Sequence, residues 1–275
     1  MSFAPVNGEH AIEKVAFFVK LSQPISEPLL QSVQRQHKLW RADLPAVDRP
    51  QIIEMQIDAN GTSQQRPHRG LEFSFRRPDN TSVWSAKIIG SDIIIECSRY
   101  TRWAKVWPRA EKYIRHFLEI ISVPKPEPTV VLLSLITIDV FKSSELVGEL
   151  NTLFRKGAYT PSFIFECGPA WHHHFGWFDE LEGPRILNNV NCDAKLAPIE
   201  DGVEKNQQER IVTLQHLQEW QAQPVSIAAL IGSSSQALRE AMENMHNRNK
   251  ILMHAMLSEE MAIRVGLSNS SKTKE

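Results

Sequence analysis

Three cysteines in 275 residues, Cys97, Cys167 and Cys192, are too few and too far apart to form a disulfide framework. No C-x-x-C or H-E-x-x-H signature occurs, so no standard zinc or metalloprotease motif is present. Phosphate-binding loops are missing as well, with neither G-x-x-x-x-G-K-[ST] nor G-x-G-x-x-G. The chain lacks G-x-S-x-G, and the cluster Gly232-Ser233-Ser234-Ser235 reads as the entry to a helix. A formal net charge of −1 gives no global field for nucleic acid or an acidic membrane. No apolar run reaches transmembrane length. The opening MSFAPVNGEH has no basic region followed by an apolar run, so no signal peptide is read there. These absences lead to the expectation of a soluble cytoplasmic protein that needs no cofactor.

What is present is an ordinary globular composition, 42% hydrophobic and 23% charged, long enough for a substantial core. Seven tryptophans are many for this length, and Trp serves at interfaces as well as in cores. Strands are predicted at Ala11–Lys20, Gln51–Asp58, Leu71–Arg77, Ser82–Ile89 and Asp92–Ser98. A polar tip at Ala59–Pro67 and turns at Pro78-Asp79-Asn80 and Gly90-Ser91 separate them. One helix starts near Ser26, a candidate N-cap, and a second covers Thr101–Ser122. Pro108 inside that helix predicts either a kink or a regular start near Trp107. After Pro124, Pro126 and Pro128 comes the apolar strand Thr129–Phe141. A helix capped by Ser143 or Ser144 is expected to reach Lys156. Strands are expected at Pro161–Cys167, His172–Phe178, Arg185–Ala197 and Arg210–Leu217, and a helix of about 30 residues from Ser234 to Ile263.

This order predicts an α+β fold of two similar β-α-β-β-β-β-α lobes with antiparallel sheets and a long C-terminal helix. The lobes are residues 1–123 and 129–267, with a disordered tail at 268–275. A cleft between lobes is then the default ligand site.

Three constellations are candidates for function. The densest is Ser98–Ile121, SRYTRWAKVWPRAEKYIRHFLEII, where a strand runs straight into a helix. Arg99, Tyr100, Arg102 and Trp103 are recognition side chains that stack and form forked hydrogen bonds. Arg102, Lys105, Arg109 and Lys112 recur at three- and four-residue steps and share a helix face. That stripe is a candidate for an anion, a partner or nucleic acid, set against a plain solvated basic face. The second constellation is Cys167, His172, His174 and Cys192. His172 and His174 point to one face of a strand, so a metal site forms if the strand carrying Cys192 pairs correctly. The third is the last helix, where Met242, Met245, Met253 and Met256 give an adaptable face for a partner helix or for the chain's own sheet. Asp92 and Glu96 lack the lysine that a metal-dependent nuclease expects, since Ser98 stands there.

Ser-Arg-Tyr-x-x-Trp at Ser98–Trp103, the strand Val130–Val140, and the closing helix Ala237–Ala262 with His246 and Glu259-Glu260 together resemble a sporadically distributed family of uncharacterised bacterial proteins. The N-terminus departs from that family, where an apolar, Pro-rich entry followed by acidic residues is usual. The resemblance implies an accessory role, such as bacterial antiviral defence or a toxin–antitoxin system, and assigns no functional residue. The leading expectation is a non-enzymatic interaction or regulatory protein, a homo-oligomer or subunit without membrane contact. The alternatives are a small-ligand sensor using the inter-lobe cleft and a metal-dependent hydrolase.

Overall fold

A computed structural model describes residues 3–57, 63–123, 126–146, 149–179, 184–199, 207–221 and 224–267. The elements in chain order are β1 (Ala4–Pro5), β2 (Ile12–Leu21), α1 (Glu27–Arg35), β3 (Ala46–Asp48), β4 (Gln51–Ile57), β5 (Ser63–Arg76), β6 (Ser82–Ile89), β7 (Asp92–Cys97) and α2 (Trp103–Ile121). The chain continues with β8 (Thr129–Ser143), α3 (Phe163–Glu166), β9 (Trp171–Asp179), β10 (Arg185–Pro198), β11 (Gln208–Gln221), β12 (Val225–Ser226), α4 (Ile227–Ile231), α5 (Ala237–Met256) and α6 (Glu259–Arg264). The fold is α+β. Its strands form one open antiparallel sheet in the order β3-β5-β6-β7-β2-β8-β11-β10-β9, with β4 paired to the first part of β5 and β1 and β12 paired to β8.

The centre of the sheet is the β2–β8 pair, which joins residues more than a hundred positions apart in register from Ile12↔Asp139 to Leu21↔Val130. Hydrophobic alternation selects this register. Val15, Phe17 and Val19 on β2 and Leu133 and Leu135 on β8 turn the same way and are fully buried. The helices pack on that face. On α2, Val106, Trp107, Ala110, Tyr113, Ile114, Phe117, Leu118 and Ile121 recur at helical spacing and are buried. Pro108 lies inside the helix, which runs unbroken from Trp103. Ser26 occupies the N-cap position of α1 without a side-chain cap bond. The turns expected at Asn80 and Gly90 form with left-handed backbones, φ 69° and 59°.

Several expectations in the second half are corrected. The helix expected from Ser143 or Ser144 to Lys156 is, among the described residues, a 3₁₀ turn at Leu150–Thr152. Pro161–Cys167 forms one helical turn at α3 instead of a strand, with Ile164 buried. The single helix of about 30 residues is two helices. Leu257 is extended and bridges Phe154, while Ser258 N–H donates to Leu153 O at 2.8 Å. Strand-like pairing to residues 153–155 outcompetes one more helical turn, and Ser258 then caps α6 by accepting from Met261 N–H. The expected tail at 268–275, Pro124 of the linker, and residues 59–62 of the polar tip lie outside the described residues; residues 63–67 of that expected tip are instead the start of β5, paired antiparallel with β4.

Two apolar clusters fill the helix face. The larger combines the first half with Ile186, Ile227, Leu230, Leu238, Ala241, Met242 and Met245. The smaller surrounds Phe141, Phe154, Met253 and Met256. The buried carboxylate of Glu111 ties α2 to α5, accepting from Arg115 Nε at 2.9 Å and from both Nε and Nη2 of Arg239 at 3.2 and 2.9 Å. Arg115 also donates to Ile231 O at 3.0 Å. Glu111→Ala is expected to destabilise the fold by about 2 kcal/mol in urea unfolding, because charge-assisted bonds are lost while the two arginines retain some solvent access.

Candidate binding site

At the mid-sheet junction, β2, α2, β8, α5 and the segment after α6 enclose a cavity of about 300 Å³. Its floor is Asp139. On β8 this residue is in phase with Leu133, Leu135 and Thr137, so its carboxyl points into the helix-covered face. The opposing strand carries a bulge between Ile12 and Lys14, which turns Ile12 onto the same face as Val15 and into the cavity wall. Asp139 is 4% exposed, and its Oδ2 has no hydrogen-bond partner among the described residues. Burial raises its pKa from 3.8 to about 7. An unpaired acid at the centre of a sheet works against stability and marks a site with another purpose.

The N-terminal turn of α2 supplies the wall. Tyr100 is buried and meets the His10 ring edge-on at 5.4 Å. Burial, and secondarily the charge of Asp139, pushes the Tyr100 phenol well above its usual range. Trp103 lies flat on His246 of α5, with ring centroids 4.0 Å apart and planes within 1°. Trp107 continues the stack beyond Trp103 at 5.8 Å. Burial lowers the pKa of His246 to about 4, aided by the charge of Lys250. Burial also lowers that of His10, against nearby backbone carbonyls and with help from Arg102. Both imidazoles are therefore neutral near pH 7. His10 Nδ1 and Trp103 Nε1, like Asp139 Oδ2, are buried without a hydrogen-bond partner among the described residues. Three unsatisfied polar atoms thus belong to residues lining one cavity.

The rim carries cations. Arg102 pairs with Glu9 at 3.4 Å, an exposed contact of little energetic weight. Lys250 lines the cavity beside His246. The far wall is Val265, Gly266 and Leu267. There Gly266, at φ +78°, ends α6 while Leu267 N–H donates to Ala262 O at 2.8 Å. Only glycine takes that conformation without strain, and a Cβ there would lie 3.2 Å from Arg102 Nη1.

A buried polar chain leaves the cavity through Asn249. Asn249 Oδ1 accepts from Thr137 Oγ1 at 3.1 Å and lies 2.9 Å from His216 Nδ1. His216 Nε2 lies 3.1 Å from Asn188 Oδ1, and Asn188 donates to Asp179 Oδ2 at 2.9 Å. Arg248 and Trp177 complete the shell of Asp179. Burial depresses the pKa of His216 to about 4, so the ring is neutral.

Of the residues singled out in the sequence, Tyr100, Arg102 and Trp103 reach the cavity. Arg99 is exposed and does not line it. The basic stripe is partly engaged in the fold itself. Arg109 lies over Trp84 at 4.5 Å and bonds Tyr113 and Asp43, and Lys112 pairs with Asp43 at 3.7 Å. Lys105 remains exposed. Met242, Met245, Met253 and Met256 are buried within their own chain, so the expected partner-helix face is core. Asn249, which interrupts the methionine spacing, does so because it belongs to the polar chain.

The Cys167/His172/His174/Cys192 set does not converge. Cys192 pairs with His173 in register and is buried on the helix side, whereas His172 and His174 are exposed on the other face. Cys167 is exposed at the end of α3. Among the described residues no group of three or more His, Cys, Asp or Glu is arranged to hold a metal. Cys97 is a core thiol whose pKa burial raises to about 11. Glu96 is held by Lys14 and Lys87, whose hydrogen bonds outweigh burial and lower its pKa. No described helix is long and apolar enough to cross a membrane.

Sequence reading missed Asp139 and His10. The available signal was one acid in phase within TVVLLSLITIDVF. Comparison with family models finds no match, and comparison with curated proteins finds none.

Asp139→Asn isolates the cost of the buried acid, since the surrounding His10, Tyr100, Arg102, His246 and Lys250 are common to both proteins. A carboxyl with a raised folded-state pKa contributes stability that is present below about pH 4 and lost as pH rises to about 7. The variant is therefore expected to gain on the wild type across that window, by on the order of 4 kcal/mol at its upper end. Paired denaturant titrations at several pH values read this directly, and a pH-independent difference would contradict the burial of an unpaired acid.

Proposed function

We propose that the protein is a small-molecule binding module, a sensor whose ligand sits in the cavity between the two halves of the chain. In this reading the halves act as two similar lobes, divided near residues 123 and 129, and the central β2–β8 pair is their seam. The observation that carries it is Asp139, a buried carboxyl with an unpartnered oxygen on the floor of a chamber large enough for one small ligand. Conserving stability alone would favour an apolar residue there. Tyr100, His10 and the Trp103–His246 stack add polar and aromatic walls of the kind that orient a ligand.

A second reading, contact with a protein partner, draws on the sheet face opposite the helices. There Phe18, Leu132, Ile136 and Ile138 are only partly buried. The resemblance to a sporadically distributed bacterial family, and the defence or toxin–antitoxin role it implies, belongs to this reading. It calls for a stable oligomer or complex by native mass measurement.

The ligand reading is tested by thermal unfolding in a protein-free small-molecule extract of cells. The wild type is expected to be stabilised, by about 3 kcal/mol if the ligand reaches a hundredfold excess over its Kd. Ala104→Trp, at an exposed position on the cavity lining, is expected to remove that shift. Equal shifts in both proteins, or none in the wild type, would count against it.

A further inference from the structure

The cavity has two electrostatic poles. Its floor is the carboxyl of Asp139, and its rim carries Arg102 and Lys250. Among the described residues Arg102 pairs with Glu9, and neither Arg102 nor Lys250 forms an ion pair with Asp139. Neither cation neutralises the floor, and the Glu9 partner of Arg102 is exposed enough to be displaced. An organic anion would satisfy the rim and leave Asp139 Oδ2 unmet. A simple amine would satisfy the floor and add positive charge near two cations.

Resting on the ligand-binding reading above, we propose that the ligand is a small zwitterion of the amino-acid class. Its ammonium group donates to Asp139, and its carboxylate is held by Arg102 and Lys250. A volume of about 300 Å³ suits one such molecule and lies at the low end of small-ligand pockets. The Trp103 indole N–H has no partner among the described residues and is available to a further polar group of the ligand. Binding an ammonium group turns Asp139 into a carboxylate, so the proton it carries is released to solvent. Affinity then falls as pH drops below about 7, because the acid must be deprotonated to pair.

The experiment is calorimetric titration of the full chain with each common free amino acid, alongside its N-acetyl and methyl-ester forms. Dicarboxylic acids and aliphatic diamines form a second panel. At least one free amino acid is expected to bind, with N-acetylation weakening it by about 100-fold and esterification by about 10-fold. Asp139→Asn is expected to lose about 100-fold and Lys250→Ala about 10-fold, with both variants folded by circular dichroism. Titrations in buffers of different ionisation enthalpy are expected to report about half a proton released per ligand near pH 7, approaching one as the pH is lowered to about 6, a readout that a merely structural Asp139 would not give. If the blocked forms bind as well as the parent, or only one-pole compounds bind in an Asp139-dependent way, the zwitterion proposal fails and the binding reading stands. If no compound in either panel binds and the cell extract gives no Ala104-sensitive shift, both fail.

Discussion

Everything else in this molecule is arranged around the antiparallel pairing of β2 with β8. The two strands come from opposite halves of the chain, and closing such a long loop has a large entropic cost before any contact is made. The return is a seam of fully buried side chains, Val15, Phe17 and Val19 against Leu133 and Leu135, with apolar burial as the driving force. Once that register is set, β7 adds on one side and β11 on the other, and each half builds outward from the seam. The helices α2 and α5 then meet over the same face, joined by the Glu111 carboxylate and its two arginines.

The candidate site is a consequence of that seam. Asp139 faces inward because it shares a phase with Leu133 and Leu135, and the bulge beside Ile12 opens the wall in front of it. The start of α2 delivers Tyr100 and Trp103 to the same place, and α5 delivers His246, Asn249 and Lys250. The chamber is lined by members of both core clusters, Tyr100 and Trp103 of the larger and Ala11 and Met253 of the smaller, and so lies between them. The buried chain from Thr137 through Asn249 and His216 to Asp179 runs along the same boundary and holds α5 in one rotation about its axis. A buried network of this kind specifies geometry more than it adds stability.

The α+β class, the strands β2, β4, β6 and β7 and the amphipathic α2 were legible because each follows from local periodicity and turn residues, whereas the start of β5 was hidden in a polar stretch whose pairing with β4 makes it a strand. Tyr100, Arg102 and Trp103 were legible as recognition residues from their chemical type. The Cys167/His172/His174/Cys192 set failed for a register reason: pairing Cys192 with His173 leaves it on the face opposite His172 and His174. The methionines failed as a partner surface because helical periodicity identifies an apolar face and is silent about what covers it. The break at Leu257 could not be read from α5 and α6 themselves, since its cause is backbone pairing with residues 153–155.

The sequence by itself determined the mixed α+β character, the strands β2, β6 and β7, the helix α2 and which face of each is apolar, because those properties depend on neighbours a few residues away. Tertiary structure alone decided which apolar faces meet, that the strands merge into one sheet, and that a lone aspartate in an apolar strand ends on the floor of a chamber. The reason is that burial and electrostatic environment belong to groups distant in sequence. Asp139 is an unremarkable acid until β2, α2 and α5 close around it and exclude its water.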